Sequence, residues 1–385
     1  MKSFVRLAST AALAAVLVGA FALPAFADGG APGPHDFGHS RGADHAVFVA
    51  TDNTAGNQVV AYERSDSGAL TLAGTYDTHG LGGSLTGAVV DRTASQGALA
   101  YDAENALLYA VNAGSDTVSV FAVRGDHLEL RQVLNSGGTF PVSVTVHDDV
   151  VYVLNARNGG SLQGFRAFFG YLFPIFGSNR ALGLDANAAP EFTHTPGQVA
   201  FTPDGSKLLV TTKANTSAVD VFRVRFDGRI STTPVVTTFP GLVPFAVSFD
   251  QIGNAVVANA GNNSVATLAI NPNGTLTQID SDATGQAATC WIVRAGNRFY
   301  ASNAGSGTLT GFQSDGAGHL SLIGNTATDA GTVDAAATTH GEFVYVQAGL
   351  AGKVDGFRVN ADGTLTGVGS VTVPDAVGGE GIVAA

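Results

Sequence analysis

The feature that most constrains the fold of this chain is a segment that recurs seven times. Two of its copies read "LYAVNAGSDTVSVF" and "FYASNAGSGTLTGF": an apolar stretch, a short polar turn, and a second stretch that ends on an aromatic residue. A repeat spaced by about 45 residues predicts one supersecondary unit per copy. The equivalent positions, with two longer intervals, are Phe48, Tyr109, Tyr152, Leu209, Val256, Tyr300 and Tyr345.

Each copy alternates apolar and polar residues with a period of two and is rich in β-branched and aromatic residues, which predicts strands. Another short apolar strand precedes each copy, as in "QVAFTPDGSKLLV", where Asp204-Gly205 favours a hairpin turn. A fourth strand follows each copy. Four antiparallel strands per repeat, without long helices, indicate an all-β fold, and we expect a seven-bladed β-propeller over residues 45–385.

The innermost strands predict how the ring closes. Seven of them begin near Gly97, Pro141, Gly197, Pro244, Cys290, Asp334 and Glu380. The first repeat has no inner strand before it, and the last inner strand has no partners after it. We therefore expect the C-terminal strand to complete the N-terminal blade, which removes unpaired strand edges. Strand alternation also places the turn after Asn112 and the connections 77–96 and 169–196 on one rim, where functional loops are expected.

The N-terminal residues have the layout of a secretory signal peptide. Lys2 and Arg6 precede an apolar run that ends in Ala25-Phe26-Ala27, so residues 1–27 are predicted to be a signal peptide cleaved after Ala27. Residues 28–44 are then a flexible segment rich in Gly, Pro and His. No second apolar run has the length of a membrane span. We expect a secreted, extracellular protein, or one loosely held at the cell envelope, without stable membrane insertion.

Composition narrows the expected partners and cofactors. The net charge of -12 disfavours binding to nucleic acid and to anionic lipid. The single cysteine, Cys290, cannot form an internal disulfide, and its apolar context favours a buried structural thiol. We expect a monomer without a cofactor or a metal. Donors for a metal do occur in the Gly- and Pro-rich N-terminal segment, whose context favours a flexible tail instead: His35, Asp36, His39, Asp44 and His45.

Three side chains are the best candidates for a ligand site. Arg157 and Lys213 follow the second strands of adjacent blades, and His194 lies in the connection between them, so all three should face one rim. Arginine and lysine bind carboxylates and phosphates, and histidine is a common general base. One interpretation is an anion-binding notch in which His194 and Arg157 carry catalysis. The other is that the three are independent solvated loop residues.

Two further patterns have a structural and a functional interpretation. Asparagine ends the second strand in four copies, at Asn112, Asn155, Asn259 and Asn303, where it is expected to cap its own turn rather than bind a ligand. The segment "FRAFFGYLFPIF", Phe165 to Phe176, concentrates aromatic residues. It is interpreted either as an inserted hairpin that packs against its blade or as a patch that binds a partner.

The repeats, together with "GGTFPVSVTVHDDVVYVLN", "TPGQVAFTPDGSKLLV" and "AATCWIV", resemble the secreted actinobacterial members of the seven-bladed β-propeller lactonase family. That family is related to 6-phosphogluconolactonase and 3-carboxymuconate cyclase and overlaps proteins with YVTN repeats. The resemblance implies the propeller fold. Relatives carry a His-Pro pair at one inner strand and an Arg-His pair at the next, where this chain has Phe140-Pro141 and Gly197-Gln198.

These departures favour a non-catalytic binding or interaction protein, with a small molecule or a cell-envelope component as its ligand. The alternative that the resemblance implies is a lactone hydrolase or cycloisomerase acting on an acidic sugar-type or muconate-type lactone. Fold alone does not decide between them.

Overall fold

A computed structural model of the chain describes residues 45–385, which form seven antiparallel sheets arranged as the blades of a propeller. Blades 1 to 3 contain β1 Ala46–Ala50, β2 Gln58–Arg64, β3 Leu70–Asp77, β4 Leu99–Asp102, β5 Leu107–Asn112, β6 Thr117–Arg124, β7 His127–Asn135, β8 Pro141–His147, β9 Val150–Asn155, β10 Ser161–Phe168, β11 Tyr171–Pro174 and β12 Arg180–Ala181.

Blades 4 to 7 contain β13 Val199–Phe201, β14 Lys207–Thr211, β15 Ala218–Arg223, β16 Val235–Thr238, β17 Pro244–Phe249, β18 Ala255–Asn259, β19 Ser264–Ile270, β20 Leu276–Ala283, β21 Thr289–Ala295, β22 Arg298–Asn303, β23 Thr308–Ser314, β24 Leu320–Ala327, β25 Thr332–Ala337, β26 Phe343–Ala348, β27 Lys353–Val359 and β28 Leu365–Thr372. The last strand, β29 Ile382–Ala384, pairs with β1 in blade 1. Two helical turns, α1 Glu191–His194 and α2 Lys213–Thr216, lie in the connections.

This architecture confirms the expected all-β, seven-bladed propeller and its closure. Strand β29 pairs with β1 in the register Val47↔Ala384 and Val49↔Ile382, so the C-terminal strand completes the N-terminal blade. The second strands, such as β5, are buried along their whole length because neighbouring blades cover both of their faces. The outermost strands, such as β3, alternate between exposed and half-buried residues because one face meets solvent.

Tyrosines of the repeat link neighbouring blades. The hydroxyl of Tyr152 in blade 3 donates to the carbonyl oxygen of Gly228 in blade 4 at 2.9 Å. Tyr300 in blade 6 donates to Gly363 in blade 7 at 2.8 Å, and Tyr345 in blade 7 donates to Gly68 in blade 1 at 2.7 Å. Each ring is buried between blades, and its polar tip satisfies a turn carbonyl of the next blade.

The connection expected over residues 169–196 is only partly a connection. Strand β11 pairs with β10 in the register Phe168↔Tyr171, and β12 pairs with the beginning of β10. Blade 3 therefore has a fourth strand split into two pieces, and only the residues after β12 cross to blade 4. No helix within residues 45–385 is both long and apolar enough to cross a membrane.

Candidate functional site

The segment 89–97, which we call the plug, crosses the centre of the ring and binds the inner strands of blades 3 and 6 and a residue just before that of blade 4. The Ser95 hydroxyl donates to the carbonyl oxygen of Val142 in blade 3 at 2.9 Å, and the Gln96 amide N–H donates to Gly197 O before blade 4 at 3.1 Å. Gln96 also exchanges two side-chain hydrogen bonds with the backbone of Ile292 in blade 6, at 2.9 and 3.0 Å. Because the plug contacts the beginnings of several inner strands, it fixes the geometry of this rim.

Four buried carboxyl groups cluster on the side of the plug that faces blades 1 and 7: Asp91 of the plug itself, and Asp52, Asp334 and Glu380 beside it. Asp52 and Glu380 are 0% exposed, and Asp91 and Asp334 are 3% exposed. Glu380 accepts hydrogen bonds from the Gly97 amide at 2.7 Å, and its own amide donates to Asp52 Oδ2 at 2.9 Å. These bonds attach the closing segment of the ring to the plug.

Burial dominates the electrostatics of this carboxyl cluster. It raises the pKa of Asp52 and that of Asp334 to about 7, and it raises the pKa of Asp91 and Glu380 as well. The other carboxylates add to this effect, while backbone donors oppose it. No group of three or more His, Cys, Asp or Glu side chains in the described part of the chain is arranged to hold a metal ion.

An apolar pocket of about 300 Å³ opens beside the plug, and we call it the channel-mouth pocket. The rings of Phe245 and Trp291 form one wall, with their centroids 4.9 Å apart. Asp91 is the one charged residue of its lining, which consists of Val89, Val90, Asp91, Ala94, Phe192, Phe245, Ala288, Cys290, Trp291, Ala304 and Gly305.

The beginnings of two inner strands supply the pocket wall through β-bulges. In blade 6, Thr289 pairs with Asn303 and Trp291 with Ser302, which leaves Cys290 as the extra residue of a bulge. In blade 5 the same irregularity leaves Phe245 unpaired. Bulges redirect side chains and are common beside functional sites. Cys290 is therefore half-buried at the pocket wall, and burial raises the pKa of its thiol to about 12, so the thiol stays protonated as expected of an unreactive cysteine.

Lys213 lies directly behind this pocket and is 1% exposed. Its Nζ donates to the carbonyl oxygens of Ala94 and Phe192, each at 2.6 Å, and to Thr195 Oγ1 at 3.1 Å, and it lies 5.3 Å from the Phe245 ring. Three oxygen acceptors match an ammonium group. Burial lowers its pKa to about 7, and the charge of Asp91 opposes that shift, so the charge of Lys213 changes near neutral pH.

Arg157 and His194, the other candidates, line a separate small cleft. Arg157 Nε donates to Glu191 Oε1 at 2.7 Å, and its guanidinium stacks 4.2 Å from the Phe140 ring. This ion pair and a hydrogen bond from the Thr86 amide hold the pKa of Glu191 at about 2. His194 Nδ1 lies 2.9 Å from Pro190 O. The structure thus brings Arg157 and His194 to one cleft, whereas the Lys213 ammonium faces Thr195 and the plug.

The positions where relatives carry His-Pro and Arg-His have structural roles here. Phe140 is buried under Arg157 with a φ of 63°, and Gln198 Oε1 accepts a hydrogen bond from the Val247 amide at 2.6 Å. Asn112 was expected to cap its own turn, but its buried amide instead donates to the hydroxyls of Thr117 and Ser119 on the paired strand, at 3.1 and 2.9 Å. The Asn112 amide therefore links the two strands of its hairpin.

The buried carboxyl cluster was missed by the sequence reasoning, which did not single out Asp52 or Asp91 and named Asp334 and Glu380 only as strand beginnings. The available signal was an acidic residue inside an otherwise apolar or Gly-rich stretch, in "AVVDRTAS" and in "GGEGIVAA". A carboxyl group is rarely buried without partners, so an acidic residue in such a stretch predicts a buried group with specific hydrogen bonds. The metal donors considered at the N-terminus, apart from His45, lie outside the described residues.

Comparison with solved structures gives similar propellers from bacteria. A protein from Bacteroides fragilis proposed to be a 6-phosphogluconolactonase is 20% identical, with a TM-score of 0.70 and 90% of this chain and 98% of that chain covered. A Lactobacillus plantarum protein is 22% identical, with a TM-score of 0.69 and coverages of 88% and 98%. The periplasmic gluconolactonase of Pseudomonas aeruginosa is 16% identical, with a TM-score of 0.67 and the same coverages.

These identities support a common fold only, and no curated protein matches the chain. The family model of the seven-bladed β-propeller lactonases matches residues 39–166 and 196–378. The unmatched residues between them include β11, β12 and the connection to blade 4. With most of its length matched, this chain belongs to the lactonase family of seven-bladed β-propellers.

Proposed function

We propose that the chain hydrolyses a lactone of low polarity in the channel-mouth pocket. The observation that carries this proposal is the placement of two buried ionisable groups at an otherwise apolar pocket: Asp91 lines it, and Lys213 lies behind the wall formed by Ala94 and Phe192. Membership of the lactonase family supports a lactone as the substrate. The layout of residues 1–27 supports activity outside the cytoplasm.

The chemistry requires a base for water and a positive potential for the oxyanion. In the proposed reaction, the Asp91 carboxylate accepts a proton from water while the water oxygen attacks the lactone carbonyl carbon. The Lys213 ammonium stabilises the negative charge on the carbonyl oxygen through its field. The bond to the ring oxygen then breaks, and protonated Asp91 returns the proton to that oxygen, which gives a hydroxy acid.

The pocket favours a neutral substrate rather than the acidic lactones expected from the resemblance. An anionic substituent there would meet the Asp91 carboxylate, and the lining contains no arginine or lysine to bind it. Arg157, in the separate small cleft, is already paired with Glu191, and the Lys213 ammonium is covered by the wall. The rings of Phe192, Phe245 and Trp291 instead match an aliphatic or aromatic substituent on the lactone.

The test is hydrolysis of a panel of alkyl-, aryl- and sugar-type lactones by the purified protein. The reaction is monitored through the proton that the product acid releases. We expect Asp91→Asn to lower the rate by roughly 100-fold or more. Asp185→Asn, an exposed carboxylate on the same rim, serves as the matched control and should leave the rate unchanged. Fluorescence of Trp291 checks that the Asp91→Asn variant still folds and binds, because it is the single tryptophan of the chain.

The ionisation of Lys213 should make the hydrolysis rate depend on pH. Its positive charge is lost as pH rises through about 7, so the rate should fall there in the wild-type protein. In Lys213→Met the overall rate should be lower and this decline absent. By contrast, His194→Ala and Arg157→Ala should retain most activity; a loss in these two variants alone would move the reaction to the small cleft.

A second candidate function is non-catalytic binding of the same class of molecule. It is favoured by Phe140 and Gln198, which hold structural contacts at the positions where relatives carry His-Pro and Arg-His. Saturable quenching of Trp291 fluorescence by a lactone, without turnover at any pH between 5 and 9, would support binding and contradict hydrolysis.

A further inference from the structure

The exposed aromatic residues of the described chain are concentrated on one part of the propeller. Phe169, Phe176 and Phe226 are 85%, 94% and 97% exposed. In residues 45–385 all exposed Phe and Tyr side chains lie between positions 168 and 226, namely Phe168, Phe169, Tyr171, Phe173, Phe176 and Phe226. Aromatic rings at this exposure cost free energy in water and indicate a contact surface.

The hairpin of β10 and β11 separates this surface from the core. Leu172 and Ala167 face one another across the pair, are buried, and pack towards blade 2. Phe168 pairs with Tyr171, and Arg166 with Phe173, on the opposite face of the hairpin. The hairpin is therefore anchored by one face and presents aromatic rings on the other. The first face packs against the protein, as one interpretation of the segment expected, and the second is free to serve as the binding patch of the other interpretation.

A groove of about 850 Å³ adjoins the Phe226 ring and is lined by four arginines. They are Arg180 from β12 and Arg223, Arg225 and Arg229 around the turn that follows β15, with Phe226 at the tip of that turn. Gly228 of the turn packs against Ile175 and Arg166 of blade 3, so the turn and the hairpin form one continuous surface. We call this surface, from blades 3 and 4, the aromatic-arginine face.

Its arginines retain unpaired positive charge. Asp227 is the one carboxylate within the turn, and it pairs with Arg229 at 2.9 Å and with Arg225 at 3.8 Å. Arg180 donates only to backbone carbonyl oxygens, and the Arg223 side chain has no ionic partner in the described residues. The chain carries a net charge of -12, but charges beyond about 8 Å are screened at physiological salt, so this face acts as a local cationic site.

The geometry points to peripheral docking of the aromatic-arginine face on an anionic lipid surface. Protruding phenylalanines enter the boundary between head groups and acyl chains, while flanking arginines bind lipid phosphates. Five of the six exposed rings lie in the stretch that the family model does not match, whereas Phe226 and three of the four arginines lie within the matched residues. The channel-mouth pocket is built on the rim where inner strands begin, whereas the turn after β15 lies on the opposite rim, so docking leaves the pocket open.

The test is co-sedimentation of the full chain with vesicles of phosphatidylcholine containing phosphatidylglycerol, or of phosphatidylcholine alone. We expect stronger binding to the anionic vesicles, weakened by salt. The double variant Phe176→Ser/Phe226→Ser should bind at least about tenfold more weakly, and Arg223→Gln roughly fivefold more weakly. The apolar N-terminal run is common to all variants, so differences between them report on the face.

The matched control is Leu322→Ser on an outer strand of blade 6, where an apolar side chain is 56% exposed. It should bind vesicles as the wild-type chain does. Equal binding of the double variant and the wild type would overturn the proposal, as would equal binding to both vesicle types. Retention on a soluble polyanion such as heparin without vesicle binding would also overturn it, in favour of an acidic polymer.

Discussion

The buried carboxyl of Asp52 predicts a measurable pH dependence of stability. Burial raises its pKa from 3.8 to about 7 in the folded protein, whereas the unfolded chain keeps the ordinary value. Between these two values the folded state binds more protons, so the free energy of unfolding falls as pH rises, by roughly 1.4 kcal/mol per pH unit. Over the whole shift the loss is about 4 kcal/mol, complete above pH 7.

Asp52→Asn removes this titration with little change of shape. The residue has a φ of 47°, which asparagine tolerates well, and the amide oxygen can accept the hydrogen bond that the Glu380 amide now donates to Oδ2. Urea unfolding at pH 5 and pH 8 measures the effect. The wild type should lose about 3 kcal/mol more than the variant between these pH values.

Asp66→Asn, at an exposed carboxylate, is the control and should run parallel to the wild type. The reasoning would be refuted if the free energy of unfolding changed equally with pH in Asp52→Asn and in the wild type. Asp52 would then titrate alike in the folded and unfolded chain. A variant less stable at both pH values by a constant amount would have the same meaning.

Three further predictions concern single side chains. Tyr345→Phe removes the hydrogen bond to Gly68 between blades 7 and 1 and should lower the free energy of unfolding by about 1 kcal/mol in urea titrations, whereas no change would mean that water replaces the bond. Trp291 should show blue-shifted fluorescence, and Gln96→Ala should move its emission maximum to the red because Gln96 holds the adjacent Ile292. An emission maximum unaffected by that substitution would contradict the described pocket wall. Cys290 should react slowly with N-ethylmaleimide at pH 8 in the folded chain and rapidly in urea, and fast reaction in the folded chain would show that its pKa is not raised.

The repeat predicted the strands because their pattern is local. Alternating residues around Tyr109 and Tyr300 indicated paired strands, and the absence of an inner strand before Val47 indicated the closure by β29. Residues 169–181 were misjudged as part of a connection because their pairing with β10 is interrupted between Pro174 and Arg180, which conceals a fourth strand from any regular pattern.

The candidate site was harder to predict because its contacts are distant in sequence. Lys213 was expected on an open rim, yet the plug covers it through Ala94, and nothing in the residues around either position signals that contact. Glu191 escaped notice although it fixes Arg157, since a single acidic residue in a loop has no characteristic pattern. The sequence predicted that Arg157, His194 and Lys213 face one rim, while the hydrogen-bond partners of each side chain depended on packing.

The pairing of β29 with β1 also sets an order for folding. It joins the last strand of the chain to the first one described, so it closes a larger loop than any hairpin within a blade. Contacts between such distant segments form slowly, while the blades between them can assemble from near neighbours. We therefore expect blade 1 to keep an open edge until β29 pairs with β1, and Glu380 to become buried in that same step.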